Sequence, residues 1–399
     1  MALFRQTNRI SWPSIPSLYL QRRSFLSRRF STIRFSLPFP SEKARHFKEI
    51  EAAVNVVEKA CRLCVDVKKS LISSQGRILE KKDNTPVTVA DFGVQALISL
   101  ELGKLFPSIP LVAEEDSEFL RSISKISVVD YVIRSVVDQL SDSDETNSLS
   151  RNDLLEAIDR GGENAFTYNE KPATYWVLDP IDGTRGFLKG DDALYVVGLS
   201  LVIKGKLALG VMGCPNWKEN HDTGGTIMAA HVGCGTWKRK ISFFPHDVDL
   251  NWSRCFVDNC QSLQEAKFCI PESQTWESLP ISTVFTSTIN ATESIRKGDS
   301  NRVLLWQICC GSLCKYMIVA AGRATIFMQQ EKKTRHIKVW DHASGIICVQ
   351  EAGGKITDWE GNELDLSIDE LKRRIILPSG GVLVSNNFLH KSMLEILQH

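Results

Sequence analysis

The sequence contains no uninterrupted apolar run that approaches the roughly 20 residues of a membrane-spanning helix, so a membrane span is not expected. It contains no internal repeat. It also lacks any twelve-residue loop with oxygen ligands at alternating positions, which argues against a calcium-binding protein. What the 399-residue chain does contain, 43% hydrophobic and 24% charged residues, is typical of a soluble globular protein.

Acidic residues are absent from the first 41 positions, and the first acid is Glu42. The same segment carries seven arginines and eight serines, a composition that predicts an organelle transit peptide over residues 1–41. A basic tail that binds acidic surfaces is the alternative, but it does not explain the scattered Leu, Phe and Trp residues. The run from Arg28 to Thr32 resembles the arginine-guided cleavage sites of mitochondrial presequences. We therefore predict a mitochondrial location, with the chloroplast as the alternative.

Residues 42–399 carry no excess of positive charge. The chain has 48 Lys and Arg against 47 acids, and loss of the seven arginines leaves 41 against 47, a net charge of −6. This balance argues against nucleic acid as a partner. A small, metal-chelated anion remains a possible ligand.

The eleven cysteines include one Cys-x-x-Cys pair, Cys61 and Cys64, but no second Cys/His pair at zinc spacing follows it closely. Cys61 and Cys64 fall on the apolar stripe of a helix predicted over residues 49–70, so we expect buried free thiols. The same is expected of Cys309, Cys310 and Cys314, within an apolar run from Trp306 to Ala321 that we predict to be helical.

Helical and strand patterns alternate along the chain, which indicates an α/β layered fold. The strand signals include Leu111 to Ala113, the run ending at Asp179, a hairpin around Lys204-Gly205-Lys206, and Val382 to Ser385. No period is visible between Phe243 and Leu279, and this stretch receives no predicted function.

Five acids fall where predicted strands lead into helices, the position at which α/β proteins place ligand sites: Asp91, Glu114, Asp179, Asp182 and Asp341. Simpler interpretations exist for each. Asp91 and Asp341 are good N-cap residues, Glu114 begins a run of three acids that could be solvated, and Asp179 to Thr184 could be an ordinary capped turn.

Convergence of these carboxylates would require bound cations, because like charges about 4 Å apart cost on the order of 4 kcal/mol per pair at an effective dielectric near 20. Carboxylates are hard ligands suited to Mg²⁺. Two Mg²⁺ ions and a phosphate dianion leave negative charge uncompensated, so we expect a third ion or a basic neighbour such as Lys315 or Arg185. Metal and phosphate together indicate displacement at phosphorus by a metal-activated water.

Four motifs in order resemble the inositol monophosphatase superfamily of Mg²⁺-dependent, lithium-sensitive phosphatases: Asp83 to Asp91, Glu114-Glu115, Asp179 to Thr184, and Trp340 to Gly345. The run from Arg185 to Gly190 is most similar to the 3'(2'),5'-bisphosphate nucleotidases, which remove the 3'-phosphate of 3'-phosphoadenosine 5'-phosphate. The resemblance covers about residues 45–395. It implies alternating αβαβα layers in one phosphatase unit over residues 42–399, with a metal and catalytic half to about residue 240 and a substrate half beyond it.

The resemblance also implies residue roles. The metal ligands would be Glu114, Asp179, the Ile181 carbonyl, Asp182 and Asp341. Asp91 and Thr184 would position and deprotonate the attacking water. The phosphate and nucleotide would contact Gly183, Thr184, Ser312, Lys315 and Asp341.

Two positions depart from the nucleotidase pattern. Asp299 stands where that pattern has histidine, and Gln329 where it has a substrate-binding arginine; Arg302, Lys332 or Lys333 could substitute. The sequence therefore leaves two alternatives open: the same chemistry on an inositol phosphate or other small phosphomonoester, and a non-catalytic paralogue that binds nucleotide and metal. It does not predict the oligomeric state.

Overall fold

The computed structural model describes residues 37–73, 79–80, 86–122, 126–140, 149–163, 165, 174–189, 193–217, 224–243, 251–289, 302–308, 311–331, 336–366 and 374–398. Most of the predicted transit peptide lies outside these residues, as do Cys309, Cys310, Asp299, Lys332 and Lys333. The described residues belong to one compact unit that runs from Leu37 to His399. The division of this unit at about residue 240 stays a prediction.

The helices described are α1 (Phe47–Ser73), α2 (Val89–Leu105), α3 (Glu118–Ser122), α4 (Ile126–Val137), α5 (Arg151–Asp159), α6 (Thr184–Lys189), α7 (Leu313–Ala320), α8 (Ala343–Glu351) and α9 (His390–Leu397). The strands are β1 (Leu79–Glu80), β2 (Pro86–Val87), β3 (Leu111–Ala113), β4 (Thr174–Asp182), β5 (Val196–Ile203), β6 (Lys206–Cys214), β7 (Thr226–His231), β8 (Gly235–Lys240), β9 (Ser253–Cys255), β10 (Lys267–Pro271), β11 (Thr286–Ile289), β12 (Arg302–Ile308), β13 (Ile326–Gln330), β14 (Ile337–Lys338), β15 (Gly354–Asp358), β16 (Ile375–Ile376) and β17 (Gly381–Asn386). Among the described residues, no helix is both long and apolar enough to span a membrane.

Two large sheets organise the unit into five layers. The first has the strand order β3-β4-β5-β6-β7-β8-β9, with α1 packed on one face and α8 on the other. The second has the order β11-β12-β10-β13-β17-β15. Helices α7 and α8 lie between the two sheets, and α9 packs on the outer face of the second. This arrangement confirms the predicted α/β fold of alternating helix and sheet layers.

The period-2 pattern of β4 explains how one strand serves two layers. Trp176 and Leu178 pack into the core beneath α1 and α2, while Tyr175 and Val177 pack into the core that contains α7 and α8. All four side chains are buried, so β4 lies at the centre of the molecule. The acids at its end are therefore held on a rigid support.

The structure corrects the expectation of a helix from Trp306 to Ala321. Residues up to Ile308 form β12, and α7 begins only at Leu313. Val303 and Leu305 are buried, whereas Leu304 and Trp306 are half-buried, which is the alternation of a strand. Gly311, at φ 40°, lies in the turn between the two elements. Cys61, Cys64 and Cys314 are buried free thiols, as predicted.

Both N-cap assignments are wrong. Thr88 caps α2, and Asp91 is its third helical residue, where its side chain accepts from the Thr88 backbone N–H in a capping box. His342 occupies the N-cap position of α8, which leaves the Asp341 carboxylate outside the helix. The solvated interpretation of the acids after β3 is also wrong for Glu115, which is 3% exposed.

Candidate active site

Three carboxylates meet at the end of β4. Oxygen atoms of Asp179, Asp182 and Asp341 all lie within 4.8 Å of one another. Residues three apart in a regular strand face opposite sides, so Asp179 and Asp182 could not converge in an unbroken β4. The pairing of β4 with β5 is shifted between these two residues, and the bulge turns both acids to the same side.

Two of the three carboxylates, Asp179 and Asp182, are buried, and the cluster is electrostatically unfavourable without a counter-ion. Asp179 is 1% exposed, and its Oδ1 has no hydrogen-bond partner among the described residues. Burial, followed by repulsion from Glu114 and Asp182, raises the pKa of Asp179 well above its usual range. A buried carboxylate oxygen without a partner, surrounded by other carboxylates, fits a site for a hard divalent cation.

Asp182 also fixes the start of α7. Its carboxylate accepts hydrogen bonds from the backbone N–H groups of Ser312 (3.0 Å) and Leu313. Burial raises the pKa of Asp182 to about 6, although the Leu313 N–H and the Lys315 ammonium act in the opposite direction. A Cβ at Gly311 would stand 2.4 Å from an Asp182 carboxylate oxygen, so only glycine permits this approach.

Glu114 reaches the same cavity from the end of β3. The backbone beside it is held by Gln95, whose amide donates to the carbonyls of Glu115 (2.6 Å) and Ile158 (2.8 Å) and accepts from the Glu115 N–H (2.9 Å). Gln95 lies one helical turn after Asp91 on α2. One helix therefore carries a predicted catalytic acid and also supports a predicted metal ligand.

Asp91 and Thr184 are paired next to the carboxylate cluster. The Thr184 hydroxyl lies 3.3 Å from Asp91 Oδ1 and 3.2 Å from the Ile181 carbonyl oxygen. Asp91 Oδ2 accepts from both the backbone N–H and the hydroxyl of Thr88, at 2.7 and 2.6 Å. The capping box thus consumes one carboxylate oxygen and directs the other at Thr184.

These groups border a cavity of about 640 Å³ between the two sheets. All the site residues predicted from the sequence line it except Asp91, which lies behind Thr184. Gln329 also lines it, and its Oε1 accepts from the Ser312 hydroxyl at 3.1 Å. Lys315 is 1% exposed and donates to the Gly311 carbonyl.

One wall of this cavity was not predicted from the sequence. Residues Pro271 to Gln274, at the end of β10 and just after it, line the cavity although they fall in the stretch that received no function. An acid directly after a buried strand, here Glu272, was the available signal. Glu272 forms an ion pair with Lys189 at 3.3 Å, and Gln274 donates to the Gln330 carbonyl at 2.9 Å.

Comparisons with known proteins find relatives of this chain in sequence and in fold. A protein of Arabidopsis thaliana, provisionally named a mitochondrial 3'(2'),5'-bisphosphate nucleotidase, is 57% identical over 374 residues, which cover 93% of this chain and 92% of that protein. A 3'(2'),5'-bisphosphate nucleotidase of Oryza sativa is 33% identical over 88% of this chain and 93% of its own length. The crystal structure of the extragenic suppressor protein suhB from Bartonella henselae shares the fold, with a TM-score of 0.54 at 19% identity over 88% of this chain and 98% of that one.

The model of the inositol monophosphatase family matches residues 46–399, nearly the whole of the compact unit described above. The chain belongs to the inositol monophosphatase family.

Proposed function

We propose that the protein is a Mg²⁺-dependent, lithium-sensitive phosphatase that hydrolyses 3'-phosphoadenosine 5'-phosphate to AMP and phosphate. The observation that carries the phosphatase assignment is the placement of the Asp91–Thr184 pair directly beside the three-carboxylate cluster. The choice of a nucleotide substrate is supported by the names of the relatives and by the run from Arg185 to Gly190.

We assign the metal-binding role to the carboxylates of Glu114, Asp179, Asp182 and Asp341 and to the Ile181 carbonyl, holding two or three Mg²⁺ ions. When bound, the metal supplies a water of lowered pKa and stabilises the charge that develops on the leaving oxygen. Divalent charge would also relieve the repulsion that raises the pKa of Asp179.

Thr184 and Asp91 would orient and deprotonate the attacking water. The Thr184 hydroxyl donates its proton to Asp91, so the lone pairs of the Thr184 oxygen are available to accept a proton from the water. As the Thr184 oxygen takes that proton, the original hydroxyl proton passes to the Asp91 carboxylate. Thr184 is the first residue of α6 and Gly183 precedes it. Their backbone N–H groups therefore lie at the start of the helix, where partial positive charge favours a phosphate. Gly183 adopts φ 91°, a conformation that side-chain-bearing residues avoid.

Further contacts to the nucleotide are assigned to Ser312, Lys315 and Asp341, which all line the cavity. A second candidate substrate class is favoured by Gln329, because this neutral amide occupies the cavity wall near Ser312. A neutral wall suits hydroxyl groups better than a second phosphate, so inositol phosphates or other small phosphomonoesters remain the alternative.

For the cellular location we propose the mitochondrion, with the chloroplast as the alternative. The arginine-rich, acid-free segment and the name of the Arabidopsis thaliana relative support an organelle. Phe39 is 3% exposed and packs in the hydrophobic core, so we place the end of any removed segment before Leu37, a few residues earlier than composition alone suggests.

Phosphate release from a substrate panel tests the activity. We expect 3'-phosphoadenosine 5'-phosphate to be cleaved in the presence of Mg²⁺, with loss of turnover on chelation and inhibition by Li⁺. Adenosine 3'-phosphate and inositol monophosphates serve as comparators. Cleavage of inositol monophosphates without cleavage of the bisphosphate would contradict the nucleotidase assignment and leave the family assignment intact.

A further inference from the structure

Glu114 and Asp341, two ligands of the proposed metal site, lie far apart in the sequence. Arg374 contacts the backbone of Glu114 and the side chain of Trp340, the residue before Asp341. Its guanidinium donates to the carbonyl oxygen of Glu114 at 3.3 Å and to that of Gly161 at 3.2 Å. The guanidinium carbon also lies 4.6 Å from the ring centroid of Trp340, the residue before Asp341.

The backbone of Arg374 strengthens this link. Its carbonyl accepts a hydrogen bond from the Val339 N–H at 3.0 Å, and the next two residues pair with β14 as the strand β16. The segment that leads to Asp341 is therefore held by the main chain of Arg374, while the segment that carries Glu114 is held by its side chain. Trp340 is 4% exposed, so the stacked arrangement is part of the packed interior.

Arginine is the residue type that this geometry requires. Its planar fork can donate to two carbonyl oxygens while its face lies against an indole ring. A lysine ammonium is a point charge and cannot make both kinds of contact at once.

Gln95 supports the same backbone from the opposite side. It fixes Glu115 from α2, whereas Arg374 fixes Glu114 from the C-terminal part of the chain. Both supports act at the peptide unit that joins Glu114 to Glu115, because Arg374 donates to its carbonyl oxygen and Gln95 accepts from its N–H. Groups that orient metal ligands in this way commonly change metal affinity by about 10- to 100-fold when they are removed.

We propose that Arg374 is a positioning residue that sets the spacing of Glu114 and Asp341 so that both can serve one divalent-cation centre. This inference rests on the proposed metal-dependent function. It assigns Arg374 no contact with substrate or with the reacting atoms.

The test measures Mn²⁺ binding by electron paramagnetic resonance in the absence of substrate, together with kcat and KM, for the wild type, Arg374→Gln and Arg374→Lys. We expect the Mn²⁺ Kd to rise by about 10-fold or more in Arg374→Gln. Arg374→Lys should fail to restore it. At saturating metal, the KM for the phosphorylated substrate should stay within about twofold of the wild type, because Arg374 is not among the residues that line the cavity.

Arg323→Gln is the matched control. Arg323 stacks on the buried Trp217 at 4.8 Å, but it lies beyond the C-terminal end of α7, whereas Asp182 contacts the N-terminal end. Loss of this stack should lower the unfolding midpoint without changing the Mn²⁺ Kd. If the effect were a general loss of packing, Arg374→Gln and Arg323→Gln would change the Mn²⁺ Kd to the same extent.

The outcomes separate the two proposals. If the wild type does not bind Mn²⁺, the metal-dependent function itself fails. If the wild type binds it and both Arg374 variants bind it equally well, the positioning role is overturned. Should Arg374→Gln fail to fold, Arg374→Lys decides, and an unchanged Kd in that variant also overturns the inference.

Discussion

At the scale of single residues, the site depends on local irregularities that place ordinary side chains in unusual positions. The bulge in β4 turns Asp179 and Asp182 to one side, and the glycine at 311 lets α7 approach the second of them. Asp91 combines two tasks, because one of its oxygens completes a capping box and the other faces Thr184. A stability role and a proposed catalytic role are therefore mixed in one carboxylate.

Asp91→Asn separates these roles. The neutral amide cannot accept the proton that Thr184 relays, so we expect kcat to fall by about 10²- to 10⁴-fold. The Mn²⁺ Kd should change little, because Asp91 lies behind Thr184 and does not line the cavity. Steady-state kinetics and metal titration of the same preparation measure both quantities.

Asp153→Asn is the control for this prediction, since Asp153 completes a capping box of the same type with Ser150 at the start of α5, at an exposed position. Both substitutions should lower the unfolding midpoint through the weakened cap. Only Asp91→Asn should reduce turnover. Full activity in Asp91→Asn would remove the water-activating role from this residue.

At the scale of elements, the sequence was informative wherever a local pattern decides the structure. The hairpin around Lys204 and Gly205 is confirmed, and their φ values of 50° and 77° are those of a tight turn between paired antiparallel strands. The β3 strand and α1 were predicted for similar reasons. The apolar run that begins at Trp306 was wrongly assigned to a helix, because a short apolar run fits both the helical and the strand period. Parallel pairing with β10 makes its first residues part of the strand β12.

A buried histidine that links α9 to the second sheet leads us to expect that the stability of the protein depends on pH. His390 is 2% exposed and lies between the hydroxyls of Thr357 on β15 (2.9 Å) and Ser385 on β17 (2.7 Å). Burial, with a smaller contribution from Lys355, lowers the pKa of His390 from 6.5 to about 4. The unfolded chain therefore binds a proton at a higher pH than the folded protein does.

The stabilising contribution of neutral His390 is present above pH 6.5 and is lost as the pH falls towards 4. We expect this loss to amount to about 2 to 3 kcal/mol in the free energy of unfolding, measured by urea titration. In His390→Gln, that part of the pH dependence should disappear. His336→Gln, at an exposed histidine, should keep the wild-type slope. Equal slopes in all three proteins would contradict the assignment.

At the scale of the whole molecule, the cavity lies between the two sheets and takes residues from both. The end of β4 and the residues before α8 provide carboxylates, while β10 and β13 provide the opposite wall. A sequence pattern can mark acids at the ends of strands, but it does not show which strand ends face one another. For this reason the carboxylates were predicted and the wall from Pro271 to Gln274 was not.

Removal of the metal tests this whole-molecule arrangement, because the buried carboxylates repel one another in the folded state alone. The folded-state pKa of Asp182 is raised to about 6 from 3.8, and that of Asp179 is also raised, chiefly by burial. A raised pKa stabilises the metal-free protein below about pH 4, and this stabilisation is lost as the pH rises through 6 and above. Chelation should therefore destabilise the protein more at pH 7.5 than at pH 5.

Thermal unfolding with Mg²⁺ and with a chelator at these two pH values measures the effect. At a Mg²⁺ concentration of about 100 times Kd, we expect about 2.7 kcal/mol of stabilisation at pH 7.5 and less at pH 5, where protons compete for the same oxygens. Asp179→Asn should be more stable than the wild type without metal at pH 7.5, because it removes a buried charge, and should respond little to Mg²⁺. Asp116→Asn, at an exposed acid, should behave as the wild type. An equal response to Mg²⁺ at both pH values would place the ion away from the buried cluster.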